Sequence, residues 1–522
     1  MKQSSLLIPD THVQLGTKGE DPSQSLLVNA GFLGAFQEQQ YVFLPLAMRV
    51  IDNIKSIVNE ELEQLSAVEF QLPVQSSLLG EEYLTNFLLK EQMASSIEIP
   101  IHLYQIQTVL DVKTTNKTAF LPNLESTFLD VFSFHESQMS LQENYYRFEK
   151  MFERILMRCE LAFQNVIAFS ESIEEKQTKE LIALSPLGDT VFVTSTVGEY
   201  RAKLDVATRF VTAKKSHATY LPLVHEKLSE DIDQESGDWL TYRLLRMGKQ
   251  PIMVFYQSND EINLTKLRHF LGGKVVEVKK SETEKYFGQA LEAFDFQKLP
   301  EHVMFLGDTE VENLTNVKLH SPVKGMYYKN VNPLREFPTA QYTDFLYVKE
   351  GDLAPDETGT LVFQKGIKIG EMHQKNLSEV SDSIDGKHLS IGHYQLDLSR
   401  LFLMIAHQHS HESGILWPME VSPFDVHLIP EDLADAYQSQ LVEEVEAVLV
   451  NQEYQVLLDD RELSMVEKVR EASLIGCPIV ILIGKKAVEG IVELKISASD
   501  ASIEVRKEEL MDTLAILLQT TE

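Results

Sequence analysis

The chain has 522 residues, 43% of them hydrophobic and 24% charged, and a net charge of −32 at pH 7. Such a length predicts two to four domains with substantial cores, and no apolar run approaches the ~18 residues that a membrane span needs. The negative field repels polyanions at long range and argues against general nucleic-acid binding.

The start, MKQSSLLIPDTHVQ, lacks the apolar centre of a signal peptide. Two cysteines, Cys159 and Cys477, fall in different predicted domains; this suits a reducing cytoplasm and excludes a disulfide framework. Residues 1–40 read as an irregular arm with a short helix from Ser25 to Ala30. A helix from Leu46 to Leu65 follows, with Leu46, Val50, Ile54, Ile57, Val58, Leu62 and Leu65 on one face. The strand AVEFQLP ends at Pro73. From Leu103 to His135 the chain reads strand, long loop, strand, with Thr, Asn and Pro in the loop. Tyr145, Phe148, Phe152, Ile155 and Cys159 share a face of a helix over Leu141 to Cys159, so Cys159 reads as core and not as a nucleophile.

Residues 220–340 form a separate module, with strands PIMVFYQ, KVVEV, HVMFLG and GMYYKNV and helices around Leu264 to Leu271 and Thr283 to Ala290. His407, His409 and His411 alternate as ligands on a strand face would, yet they follow a helix, and no metal site is expected there. From Trp417 onward strands alternate with helices, which predicts a small α/β domain with a mostly parallel sheet. From Met419 to the end stand 22 acidic and 8 basic residues, a net −14 that is unfavourable for holding RNA. Gly484, Lys485 and Lys486 lack the frame of a phosphate-binding loop.

LYQIQT at Leu103 to Thr108 and SFH at Ser133 to His135 resemble the two ends of motif 2 in bacterial-type prolyl-tRNA synthetases, which are class II aminoacyl-tRNA synthetases. MKQSSLLIP and LLVNAGF resemble the family's start, and the helix ending in AVEFQLP resembles motif 1. IGHYQLDLSRLF, Ile391 to Phe402, resembles motif 3. YYKNVNPLREF, Tyr327 to Phe337, resembles the end of the family's editing insertion, and LLDDR, LIGCPI and IGKKAVEGIVELKI resemble its anticodon-binding domain. The resemblance covers the whole chain in one order. It implies an α+β antiparallel sheet core over residues 1–219 and 341–418, an editing-like α/β insertion over 220–340 and an anticodon-binding-like α/β domain over 419–522. It also implies a dimer through the motif 1 face; the helical periodicity alone fits any helix packed on a sheet.

The family's functional residues carry over unevenly. Glu81, Gln107, His135, Glu180 and Arg400 match positions of the substrate pocket, and Asp460, Arg461 and Lys468 match the anticodon-binding motif. Asp111, Thr115, Lys117, Pro122 and Leu124 stand where motif 2 arginines are expected. Glu174 and Glu175 replace two glycines, as do Gln395 and Asp397 in motif 3, and Val466 replaces one beside Lys468. In the insertion, Tyr242 and Tyr327 stand for the family's lysine and histidine, and no glycine turn occurs in the Phe294 to Gln297 region. Ala354 and Glu357 take the place of a zinc CxxC.

Adenylate formation depends on charge-assisted hydrogen bonds to phosphate, each contributing roughly 1.5–3 kcal/mol. Losing three of these arginines alone therefore costs on the order of 4–9 kcal/mol, about a thousandfold to a millionfold in rate. Lys113 and Lys117 are point charges without the bidentate fork. The expected function is that of a catalytically inactive prolyl-tRNA synthetase paralogue, binding tRNA, an amino acid or a protein such as a genuine synthetase. The alternative is a divergent but active proline–tRNA ligase. The first reading needs no cofactor and the second needs ATP and magnesium. A cytoplasmic homodimer without membrane contact is expected in either case.

Overall fold

The computed structural model describes residues 1–8, 22–37, 40–72, 99–110, 125–169, 175–211, 219–228, 239–376, 390–497 and 502–521. Two compact units emerge. One comprises Met1–Gln164, Glu180–Asp189 and Gly366–Glu522, the other Asn165–Lys179 and Thr190–Lys365.

The nine-stranded sheet to which the first unit contributes includes, in order, Val68–Glu69, Ile101–Leu110, Glu125–His135, Ser390–Asp397, Leu361–Asn376 and Glu175–Leu184. Ile101–Leu110 and Ser390–Asp397 flank Glu125–His135, each antiparallel to it, with Gln105 and Gln395 both opposite Asp130. The AVEFQLP strand is confined to Val68–Glu69 and joins its neighbour in parallel.

Three helices cover one face of this sheet. Pro45–Gln64 begins with proline, which fits a first turn because it adds no N–H to the amides that lack an intrahelical acceptor there. It buries Leu46, Val50, Ile54, Ile57, Val58 and Leu62, the face expected from the periodicity. Gln138–Arg158 is capped by the Ser137 hydroxyl, which accepts from the Ser140 amide. Leu398–Gln408 is capped by Asp397. Together they enclose Leu129, Val131, Tyr394 and Leu396 of the sheet in one apolar core, each large side chain contributing about 2 kcal/mol. Buried Glu61 ties two of the helices through Arg154 at 2.8 Å and Arg158 at 3.7 Å. Ahead of them, the hairpin Leu33–Gln37 and Gln40–Phe43 occupies part of the arm expected to be irregular.

The C-terminal part of this unit is a five-stranded sheet in the order Val456–Leu458, Val426–Pro430, Ile479–Ile483, Ile491–Ile496, Ser502–Arg506. Two of its pairings are parallel and two antiparallel, which corrects the expectation of a mostly parallel sheet. The run SLIGCPIVILIGKKAVEGIVELKIS folds as a hairpin because only a short 3-10 turn, Lys485–Glu489, joins its strands. A parallel crossover needs about a dozen residues.

In the second unit the main sheet runs Val224–Lys227, Met326–Val331, Val317–His320, Trp239–Met247, Gln250–Gln257, Met304–Asp308, Gln341–Thr343, with Val275–Glu277 paired to Trp239–Met247. Apolar clusters cover both of its faces: Met253 and Phe255 belong to one, Ile252 and Val254 to the other. Beside it lies a half-buried ionic centre. Arg209 pairs with Glu310 at 3.0 Å and Asp352 at 3.2 Å, and Lys266 with Asp344 at 2.9 Å. Among the described residues, no helix is long and apolar enough to cross a membrane.

Candidate functional site

Side chains alternate across a strand. With Leu129, Val131, Tyr394, Leu396, Leu181 and Ile367 turned toward the helices, their neighbours Asp130, His393, Gln395, Glu180 and Lys368 line the opposite face. Asp130 is its centre and is only 5% exposed. Its carboxylate accepts from Gln107 Nε2 at 2.9 Å, Gln395 Nε2 at 2.8 Å and His393 Nε2 at 3.3 Å. Burial opposes ionisation of Asp130, but the His393, Gln395 and Gln107 bonds outweigh it and hold the carboxyl below its ordinary range. Phe132 stacks on the His393 ring, centroids 4.5 Å apart, and fixes its plane.

The row continues through Glu371, which pairs with Lys368 and with His373 Nε2 at 3.2 Å. Lys368 also reaches Glu180 Oε1 at 3.3 Å. Burial disfavours the Glu371 anion, yet His373 and Lys368 pull it well below the usual carboxylate range. Burial likewise opposes the Lys368 cation, and Glu371 and Glu180 more than restore it.

Arg400 lies in the first turn of Leu398–Gln408. Its amide donates to Asp397 Oδ1 at 2.9 Å, its Nε lies 3.1 Å from Asp397 Oδ2, and Nη1 donates to the Lys368 carbonyl at 3.3 Å. Asp397, which stands in place of a motif 3 glycine, is the helix cap and the partner of this guanidinium. Gln395, the other replacement of a motif 3 glycine, is a ligand of Asp130. Gly392 remains glycine for a steric reason: a Cβ there would meet the Tyr394 hydroxyl at 2.3 Å and Ser133 Oγ at 2.6 Å.

Gln107, Glu180 and Arg400 thus share one polar face. His135 does not join them. It is fully buried on the helix side, with Nδ1 2.9 Å from Ser140 Oγ and its ring 6.3 Å from that of His102. Burial, reinforced by His102, pushes its pKa down to about 4. Glu81, the motif 2 replacements Asp111, Thr115, Lys117, Pro122 and Leu124, Lys113, and Glu174 lie outside the described residues, as does the side chain of Glu175.

In the C-terminal domain, Asp460 accepts from the Ser4 amide at 2.9 Å and the Ser4 hydroxyl at 2.7 Å. Arg461 is held by Asp459 at 2.7 Å and Glu471 at 2.5 Å. Lys468 is 1% exposed and donates to the Pro430 carbonyl at 2.9 Å. Each predicted RNA contact is therefore occupied within the chain.

His407 ends the Leu398–Gln408 helix and places its ring nitrogens 3.0 Å from Ser23 Oγ and 3.1 Å from Ser185 Oγ. His409 Nε2 lies 3.1 Å from the Glu160 carbonyl. Among the described residues no group of three or more His, Cys, Asp or Glu side chains has metal-holding geometry. Cys159 is buried, and loss of solvent pushes its thiol up to about 12. In the second unit, Tyr242 stacks on Phe294 at 5.6 Å and packs against a cluster holding Phe255, Phe287, Phe296 and Phe337. Tyr327 donates to Glu226. Ala354 is fully buried among Val193, Ala202 and Leu361.

Sequence reasoning missed Asp130, Lys368, Glu371 and His393. A signal for the first was present: one carboxylate inside the apolar strand FLDVFSFH must find partners, because an unpaired buried charge is too costly.

Residues 425–516 match the family of the anticodon binding domain. Over nearly its whole length the chain is similar to the proline–tRNA ligase of Lactiplantibacillus plantarum, 30% identical over 568 residues that cover 99% of this chain and 100% of that protein. It is also similar to the proline–tRNA ligase of Levilactobacillus brevis, 31% identical over 568 residues with the same coverage. The fold is shared with the prolyl-tRNA synthetase of Cryptosporidium parvum in its crystal structure with halofuginone and AMPPNP. The TM-score is 0.50 and the identity 11%, covering 95% of this chain and 75% of that one. An antiparallel sheet core, a C-terminal anticodon-binding domain and a full-length kinship at 30–31% identity carry one conclusion: the chain belongs to the prolyl-tRNA synthetase family of class II.

Proposed function

We propose that this member of the family serves as a binding or regulatory subunit and does not form prolyl-adenylate efficiently. The observation that carries this reading is the state of Arg400. Its guanidinium is held by Asp397, a residue that replaces a motif 3 glycine, and by the Lys368 carbonyl. A triphosphate arriving there meets an ion pair of no net charge in place of a free cation. The absence of arginines at Asp111, Thr115, Lys117, Pro122 and Leu124 supports the same reading. So does the aromatic packing around Tyr242, where the editing lysine of the family is expected.

The ligands that fit are an amino acid on the Gln107, Asp130 and Glu180 face, tRNA on the C-terminal domain, or a protein partner. The motif 1 helix Pro45–Gln64 is the proposed dimer element, with Val42, Met48 and Val68 exposed around it. A cytoplasmic location follows from the family's chemistry. The domain limits 1–219, 220–340, 341–418 and 419–522 belong to the same reading.

Amino-acid-dependent ATP–pyrophosphate exchange tests it. Background rates with proline and with the other amino acids are expected. Proline-dependent exchange well above background overturns the proposal and establishes a divergent ligase. That second reading is favoured by the shared face of Gln107, Glu180 and Arg400. It predicts that Arg400→Ala abolishes the exchange.

A further inference from the structure

The helix Ala436–Asn451 is capped by Asp435, whose carboxylate accepts from the Tyr437 and Gln438 amides. It turns Leu441, Val442, Val445 and Leu449 into the core of the C-terminal domain. Beside that buried face run Tyr437, Glu444 and Val448, spaced i, i+7 and i+11 as one helical stripe. Tyr437 is 60% exposed and Val448 40%. Glu444, Val445 and Val448 also line a cleft of about 230 Å³, closed on its other side by Lys507, Glu508 and Leu510. That volume lies below the ~300 Å³ at which small-molecule sites begin. It takes one anchoring apolar side chain.

Charge selects what that side chain belongs to. From Glu431 to Tyr454 the chain holds seven acidic residues and no lysine or arginine. Lys507, in the cleft, is paired with Glu444. Such a field repels RNA and repels a second copy of this net-negative domain. We infer that the outer stripe of Ala436–Asn451 is a docking surface for a basic amphipathic helix of a partner protein. A helix of that kind repeats its apolar side chains at i, i+3, i+4 and i+7 and carries lysine and arginine around them. One apolar anchor fills the cleft and a second lies on the Tyr437 ring. The flanking cations meet the acidic surface and set the rate and choice of encounter, while the anchors carry the affinity. Such a partner rests on the binding-subunit reading for its purpose, and pyrophosphate exchange decides that reading separately.

The test uses the full chain and a fluorescently labelled synthetic helix of leucine and lysine, about 18 residues long, read by anisotropy at fixed salt. Its control is an isomer of the same composition whose leucines share no face. The amphipathic peptide is expected to bind about tenfold more tightly than the isomer. Val448→Asp is expected to lower its affinity about tenfold. That variant adds a negative charge, so attraction by net charge alone predicts equal or tighter binding. Val197→Asp makes the same change at an exposed valine of the second unit and is expected to leave the affinity unchanged. Tyr437→Ala repeats the test outside the cleft and is expected to weaken binding about threefold. Equal binding of the two peptides overturns the docking surface, as does an affinity that Val448→Asp and Tyr437→Ala leave intact. Absence of binding overturns it too. Displacement of the peptide by a proline tRNA transcript makes the face an RNA surface and overturns the protein partner.

Discussion

Asp130 and Asp308 are both almost fully buried, at 5% and 2% exposed, yet their pKa values are shifted in opposite directions. Asp130, on the sheet face of the first unit, receives three side-chain donors and lies below the ordinary carboxylate range. Asp308, beside the ionic centre of the second unit, receives the Glu310 amide at 3.0 Å and the Phe345 amide at 3.4 Å. Burial, with a further push from the Asp344 carboxylate, raises it to about 6. Depth is the same; the difference lies in what the polypeptide aims at the carboxylate. The first unit has built a compensated polar face. In the second, the position of the expected editing lysine has gone to rings, and an acid whose pKa burial raises stands in the fold's own charge network.

The largest effect is expected from Asp130→Ala. It leaves the Gln107 and Gln395 amides and the His393 ring without their shared acceptor, a loss of about 4 kcal/mol in urea unfolding. A loss below about 1 kcal/mol would show that water satisfies these donors and that the face is open, not compensated. His427 extends the comparison to a buried base. Burial pushes it from 6.5 to about 4. The unfolded chain therefore binds a proton that the folded chain refuses, and the stability is present above pH 6.5 and lost as pH falls toward 4. This linkage amounts to about 3 kcal/mol. His427→Gln is expected to flatten that acid limb. An unchanged slope would assign it elsewhere.

Asp308 carries the opposite sign. Its folded pKa of about 6 exceeds the ordinary 3.8, so its contribution is complete below pH 3.8 and is lost as pH rises through 6. Asp308→Asn should gain about 2 kcal/mol at pH 7.5 relative to its effect at pH 4. Thermal unfolding at the two pH values measures this directly. A variant equally affected at both would mean that Arg209 and Lys266 neutralise the acid after all.

Much of the fold was legible because its signals are local. The apolar face of Pro45–Gln64 follows a 3.6-residue period, and Leu46 through Leu62 are buried as that period requires. The strand Trp239–Met247 was missed because its buried residues come in adjacent pairs, Trp239 with Leu240 and Leu244 with Leu245. A sheet covered on both faces erases the alternation that marks a strand. The alternation of strands with helices predicts a mostly parallel C-terminal sheet, but the short turn Lys485–Glu489 makes its neighbours antiparallel; an apolar run does not state its direction, and the length of the turn does. The site was less legible than the fold. Of the residues that motif matching singles out, Gln107, Glu180 and Arg400 share one polar face, whereas His135 faces the helices. Asp130, Lys368 and Glu371 act through partners remote in sequence, which no spacing rule reaches.

The smallest effect is expected at Tyr242, and it bears most directly on the contrast between the two units. Burial pushes its phenol above the ordinary range, and its ring stacks on Phe294 at 5.6 Å. If Tyr242 is only a packing ring, Tyr242→Phe keeps the ring and its contacts and removes one hydroxyl, so stability should change by less than about 0.5 kcal/mol. Hydrolysis of alanyl-tRNA should stay at the uncatalysed rate in parent and variant alike. Catalysed hydrolysis in the parent that disappears in the variant would make the hydroxyl a working group. The second unit would then hold a rebuilt site and not a filled one, and the contrast with the polar face around Asp130 would have to be redrawn.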